Sequence, residues 1–195
     1  RRQDAEDFSG IEKGTFDCVL LRSVVQSFPA LAYLREVIAG ALRTLRAGGV
    51  AHLADLRDLR HHRRLTLASE VARAEDATPA GILRDAAERR LAQEAELLVD
   101  PALFPGLPGV AAAELRLQSG AAHNELTRYR FTAVLHAVAP DWQVGEAMPV
   151  RTLAALEGLL GGGHPVIATG LPNARLTADI AVAAALERAA PSMPA

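Results

Sequence analysis

A chain of 195 residues with 50% hydrophobic and 23% charged side chains can bury one ordinary core and is too apolar to remain disordered. No apolar run approaches the roughly 20 residues of a membrane span, and RRQDAEDFSG at the start has no apolar segment behind its arginines, so neither a signal peptide nor a membrane partner is expected and the cytoplasm is the expected compartment. The net charge is -2 and the arginines are scattered among carboxylates, which gives no electrostatic case for nucleic acid.

The elements follow in chain order. Phe16 to Leu21 reads as a short strand, preceded by Lys13-Gly14 and followed abruptly by Arg22-Ser23. Cys18, the one cysteine, lies inside this run, which excludes intrachain disulfides and thiolate metal clusters and predicts a packed thiol. Leu31, Leu34, Val37, Ile38, Ala41, Leu42 and Leu45 recur at three and four, predicting a helix over 30–46 that starts after Pro29 and stops at Gly48-Gly49. Val50 to Leu56 is the next strand, so the three elements predict a right-handed crossover unit of a parallel sheet.

Residues 59–98 read as helices, with Thr78 capping the second and Pro79 in its first turn, an insertion long enough to act as a lid. Ala111 to Gln118 and Leu126 to Val138 alternate in polarity and predict an antiparallel hairpin at a sheet edge, joined by SGAAHNE. The remainder gives a helix over 152–160, a strand over 165–169 and a last helix over 178–189. Gly161-Gly162-Gly163 follows a helix and precedes a strand, the reverse of a phosphate loop, and reads as a helix exit. The expected division is a core over 1–140, containing the 59–98 insertion, and a small α/β extension and linker over 141–195. The chain opens without methionine just before a turn and strand, and is expected to be part of a longer polypeptide.

Ligands of an open parallel sheet bind outside the carboxyl ends of its strands. If Ala111 to Gln118 runs parallel to the first two strands, RSVVQ, DLRD and AHNELTRY converge at one edge. Two readings of these groups stand: a site, or helix-end satisfaction and hairpin decoration. Asp58 and Arg60 read as an ordinary surface ion pair, and the adjacent His61-His62 point apart on a helix and make a poor metal pair, so no metal is expected.

GTFDCVLLRSVVQSFPALAYLREVIAGALRTLRAGGV resembles the fourth strand, following helix and fifth-strand entry of the S-adenosylmethionine-dependent methyltransferase domains embedded in nonribosomal peptide synthetases, where the stretch commonly reads FDxVVLNSVVQYFP and ends in PGG. RLAQEAELLVDPALF, HNELTRYRF and GLPNARL resemble the same family, so the likeness covers nearly the whole chain. The resemblance implies a Rossmann-like class I methyltransferase fold, here its C-terminal part, without the glycine-rich cofactor loop. It implies S-adenosylmethionine as cofactor, with Asp7 and Phe8 near the adenine and Ser23, Val24 and Gln26 near the methionine portion. It implies methyl transfer to the α-amino nitrogen of an aminoacyl thioester on a carrier protein, with adenylation and carrier domains as neighbours. His123 or Glu125 would then accept the proton, Asn124 and Tyr129 orient the amine, and Asp55 hold the base or the ammonium form. Side-chain O- or S-methylation, a free-standing small-molecule methyltransferase and a non-catalytic structural remnant are the alternatives. Arg22 stands where the family usually has asparagine, Ser27 where it has tyrosine and Ala54 where it has glycine. An arginine at that position is expected to point away from a sulfonium or to pair with Asp55 or Glu125.

Overall fold

Four strands form a mixed sheet in the order β1 (Phe16–Arg22), β2 (Leu45–Arg57), β4 (Arg130–His136) and β3 (Ala112–Leu117). The computed structural model describes residues 2–141 and 145–194. They fall into two units, Arg1–Pro140 with Asp179–Ala195, and Asp141–Ala178. β1 pairs parallel with β2, whereas β4 is antiparallel to both β2 and β3. β3 therefore runs in the direction of β1 and β2, and all three strands end at one edge. β4 carries an unbroken buried run, Phe131 to Leu135, because it lies inside the sheet with both faces covered.

β1 is the opposite case. It lies at the end of the sheet, and Phe16 and Leu20 are exposed, Leu20 at 62%. Cys18 is exposed too, contrary to the packed thiol expected, because a strand at the sheet margin leaves part of its apolar run uncovered.

α1 (Leu31–Thr44) buries Leu34, Val37, Ile38, Ala41 and Leu42 against the sheet, the stripe its spacing predicts. It ends earlier than Gly48-Gly49, since the Thr44 hydroxyl donates to the Ala41 carbonyl and Leu45 is already extended opposite Phe16. The glycines instead serve a bulge between the Phe16 and Cys18 pairings. Gly48 has φ 82°, and a Cβ on Gly49 would lie 2.9 Å from the Asp17 carbonyl oxygen.

α2 (Leu59–Arg73) starts at Asp58, which is buried and accepts from the Arg60 backbone N–H at 2.8 Å. Asp58 also pairs with the Arg60 guanidinium at 3.0 Å, so the expected ion pair exists, with a helix cap added to it. Thr78 does not cap α3 (Ala80–Ala92). Its hydroxyl donates to the Glu75 carbonyl, and Pro79 holds the cap position. Leu67, Ala80, Leu83 and Ala87 of these helices bury themselves with Ala183 and Leu186 of the last helix. The insertion thus has a core of its own. The C-terminal helix, labelled α6 below, belongs from Asp179 to the first unit instead of the 141–195 extension in which it was expected.

The expected strand over 126–138 begins instead with a one-turn helix, α4 (Glu125–Tyr129). Asn124 Oδ1 accepts from the Thr127 N–H and Thr127 Oγ1 accepts from the Asn124 N–H, a reciprocal cap that helical geometry satisfies and a strand cannot. In the second unit β5 (Ala147–Pro149) pairs parallel with β6 (Ile167–Thr169), and α5 (Leu153–Leu160) is capped by Thr152. Gly161 ends α5 and Gly163 has φ 68°, so the triple glycine is a helix exit. α6 spans Thr177–Arg188. Among the described residues no helix is long and apolar enough to cross a membrane.

Candidate functional site

Ser23 and Asp55 follow the last ladder pairs of two adjacent parallel strands, and both have left-handed backbones, φ 56° and 67°. Such a conformation costs a non-glycine residue of order 1–3 kcal/mol and clusters where side chains must be aimed. At Asp55 the cause is visible in the ladder. The β2–β4 register slips between Leu53 and Leu56, and this bulge turns Asp55 out of the regular alternation. Ser23 Oγ donates to Asp55 Oδ2 at 2.9 Å, and the Ser23 N–H donates to the Ala54 carbonyl at 3.3 Å.

Arg130, the first residue of β4, completes the cluster. Its Nη1 donates to Asp55 Oδ2 at 3.0 Å and its Nη2 to Glu125 Oε1 at 2.9 Å. The Asp55 and Arg130 side chains are only 14% and 13% exposed, against 44% for Glu125. The partners expected for Arg22 are thus taken by Arg130, while Arg22 is exposed and makes no ion pair among the described residues.

A polar cleft of about 330 Å³ opens beside this cluster, lined by Arg22, Ser23, Asp55, the turn from Gln118 to Ala122, Asn124, Leu126 and Thr127. The three polar segments therefore do converge, and Asn124 is the member of the HNE turn that lines the cleft. Asn124 Oδ1 is committed to its helix cap. His123 is exposed and is not among the lining residues. Glu125 points to a separate polar pocket of about 120 Å³, with Arg57, His62, Arg90 and Glu94. No residue of 59–98 lines the cleft, so the helical cover lies over that second pocket instead. Tyr129 is buried and its hydroxyl donates to Asp179, which also pairs with Arg128 at 2.6 Å. Burial and that hydrogen bond hold the phenol well above its ordinary range.

On the other side of Arg22 lies an apolar cleft of about 450 Å³, lined by Ala5, Phe8, Val19, Leu20, Leu21, Arg22, Val24 and Val37. Phe8 and Val24 thus both line it. Phe8 is seated on Gly40 of α1, where a Cβ would fall 2.1 Å from the ring. Asp7 is exposed and accepts from the Ser9 N–H at 2.8 Å, a turn role. Gln26 Oε1 is buried without a hydrogen-bond partner among the described residues, while the Gln26 backbone carbonyl accepts from the Leu97 N–H.

Arg57, at the end of β2, donates to Glu94 at 2.9 Å and to Glu96 at 2.8 Å, and its Nη2 lies 3.5 Å from His62 Nδ1. Burial, the largest single influence, would raise the Glu94 carboxyl, but the Arg57 hydrogen bond, the Glu96 backbone N–H and the Arg57 charge together outweigh it and hold Glu94 below its usual range. His62 Nε2 approaches Glu94 Oε2 at 3.3 Å, yet this is not a charged pair at neutral pH. Burial first, then the Arg57 charge, push the imidazole below its ordinary value of 6.5. Between the lowered folded value and 6.5 the unfolded chain binds more protons, so the contribution of His62 to stability is complete above about pH 6.5 and is lost as the pH falls below it. His62→Gln, which keeps one acceptor and one donor but does not titrate, is expected to lose less stability than wild type between pH 7.5 and 5.5. Urea midpoints at constant slope measure this, and equal losses would contradict it.

Sequence reasoning missed Arg130 and the Arg57–His62–Glu94 group. The signal available for Arg130 was its place in TRYR, five residues after Glu125, but its bond to Asp55 spans 75 positions.

No family model matches the chain. It is similar to nonribosomal peptide synthetases. It is 35% identical over 196 residues to a probable non-canonical nonribosomal peptide synthetase, CymA, of Salinispora arenicola, covering 95% of this chain and 2% of that protein. It is 34% identical to the chondramide synthase of Chondromyces crocatus, covering 91% and 5%. It is also 34% identical to the beauvericin nonribosomal cyclodepsipeptide synthetase of Beauveria bassiana, covering 78% and 5%. The chain therefore spans only a few percent of the length of these relatives. Among solved structures, the PH0226 protein of Pyrococcus horikoshii OT3 aligns at 17% identity over 69% of this chain and 57% of that one, with a TM-score of 0.40, too weak a likeness to fix a fold.

Proposed function

We propose that this chain is the acceptor-side part of a Rossmann-like class I methyltransferase that N-methylates a carrier-bound aminoacyl thioester during nonribosomal peptide synthesis, acting beside adenylation and carrier domains. The observation that carries the reading is that an apolar cleft and a polar cleft meet at Arg22, at the carboxyl edge of the sheet. The similarity to peptide synthetases over 95% of the chain supplies the biosynthetic setting.

The apolar cleft fits part of S-adenosylmethionine. The Phe8 ring, fixed on Gly40, would hold the flat base, and Val24 would face the methionine portion, whereas Gln26 is not among the residues that line this cleft. Ser23, which lines the polar cleft next to the shared Arg22, would also face the methionine portion, whereas Asp7 contributes a turn. When bound, S-adenosylmethionine would supply an electrophilic methyl group for the lone pair of an acceptor amine.

What the chain's own residues supply is placement and a proton sink. An α-amino group titrates near 7.7–8.0, so a useful neutral fraction exists at neutral pH and a weak base suffices. Asp55 and Asn124 line the acceptor cleft. Glu125 stands behind Arg130, and Tyr129 and Arg128 anchor α6 through Asp179.

The test supplies aminoacyl thioester on a carrier protein and S-adenosylmethionine to the polypeptide that carries this chain, and locates the methyl by fragmentation mass spectrometry. The expected product is methylated on the α-nitrogen. A methyl on a side-chain oxygen or sulfur would move the protein to that branch, and no methyl at all would favour the structural remnant.

A further inference from the structure

We infer that Arg130 is a positioning residue that turns the free oxygen of Asp55 toward the acceptor's amino group, making Asp55, and not Glu125 or His123, the carboxylate that receives the amine N–H. This rests on the methyl-transfer reading above.

Both bonds that restrain Asp55 converge on one atom. Oδ2 accepts from Ser23 Oγ at 2.9 Å and from Arg130 Nη1 at 3.0 Å, while Oδ1 has no hydrogen-bond partner among the described residues. A carboxylate pinned through one oxygen, on a backbone held left-handed by a bulge, has little freedom left in χ1 or χ2. Asp55 lines the polar cleft, and Oδ1 is the oxygen left to serve it. Glu125 is also held through one oxygen, its Oε1 accepting from Nε and Nη2 of Arg130 at 3.3 and 2.9 Å, but its side chain is far more exposed than that of Asp55 and lines the separate pocket instead of the cleft. The guanidinium lies between the two carboxylates and holds them apart, so that one anchors the arginine and the other serves the cleft.

The experiment measures methyl transfer to a carrier-bound aminoacyl thioester by the polypeptide that carries this chain, in a double-mutant cycle of Arg130→Met and Asp55→Asn, with a parallel cycle of Arg130→Met and Glu125→Gln. Asp55→Asn is expected to lower kcat roughly 100-fold, the lower range of what a positioned proton acceptor contributes. Arg130→Met should lower it comparably, Arg130→Lys should restore part of the loss, and the Arg130–Asp55 double variant should be no slower than Asp55→Asn alone. A second readout needs no turnover. Wild type should bind an aminoacyl pantetheine roughly tenfold tighter than its desamino counterpart, the scale of a hydrogen bond to a charged group, and Asp55→Asn and Arg130→Met should each abolish that preference. Thermal unfolding checks that the variants fold, with Arg130→Lys serving if Arg130→Met does not. Losses that multiply in the Asp55 cycle, or coupling confined to Glu125, would overturn the inference while leaving the methyl-transfer reading intact. A wild type that methylates no amine would overturn that reading and this inference with it.

Discussion

Phe104→Ala is expected to lower the stability of the first unit by about 3–5 kcal/mol, the range for removing a buried aromatic side chain. Phe104 is 0% exposed, sits in the 3₁₀ turn Pro101–Gly106 and meets Phe131 of β4 edge-on with ring centroids 6.0 Å apart. It belongs to the cluster that joins α1 to the sheet through Leu34, Ile38, Leu53 and Leu135. The turn is held by Asp100, which accepts from the Ala102 and Leu103 N–H groups, by the Leu107 N–H donating to the Phe104 carbonyl and by two prolines, so it resists collapse and the cavity would be filled only in part. Domains are stable by roughly 5–15 kcal/mol in total, and the variant should unfold at much lower urea with an unchanged slope. Phe104→Leu should cost less than half as much. A loss below about 1 kcal/mol for the alanine variant would show that this turn is peripheral to the core.

The importance of VDPALFPG was not legible in the sequence, and the reason is physical. Residues 98–110 have no periodicity, and a turn with two prolines reads as a surface connection although Val99, Phe104 and Leu107 fill the core beneath the sheet. Helical spacing held in the α1 stripe, and the polar exits of β1 and β2 follow from the rule that sites gather at carboxyl edges, whereas the alternation over 126–138 misled: its start is the helix α4 and β4 is an interior strand buried on both faces. The convergence of Ser23, Asp55 and Asn124 was accessible because it depends only on strand direction. The pairing of Asp55 with Arg130 was not, because it depends on a bulge that shifts β2 against β4 by one position and on an antiparallel strand inserted between β2 and β3. The same insertion explains why Glu125 faces away. It stands in a capped turn of helix at the entrance to β4, where Arg130 draws it to the side of the Arg57 pocket. Cys18 failed for a simpler reason, since an apolar strand is buried only where something covers it.

Gly40→Ala should separate the apolar cleft from the rest of the fold. A Cβ at position 40 would stand 2.1 Å from Phe8 Cε2 and 2.3 Å from Cδ2, so the ring must leave its seat on α1. Ring displacement loses packing at a partly exposed residue, whereas glycine to alanine inside a helix gains up to about 1 kcal/mol, and the two effects nearly cancel in global stability. They do not cancel in the cleft. If Phe8 is the surface on which the cofactor's base rests, stacking of the order of 1–3 kcal/mol goes with it, so S-adenosylmethionine should bind the polypeptide that carries this chain about tenfold or more weakly by calorimetry. Phe8→Ala should show the same loss, and the double variant no more than either alone, because both changes remove one interaction. Unchanged affinity in both single variants, with thermal stability preserved, would place the cofactor elsewhere and leave Phe8 as the packing partner of Gly40 and Arg43, whose guanidinium lies 6.0 Å from the ring centroid.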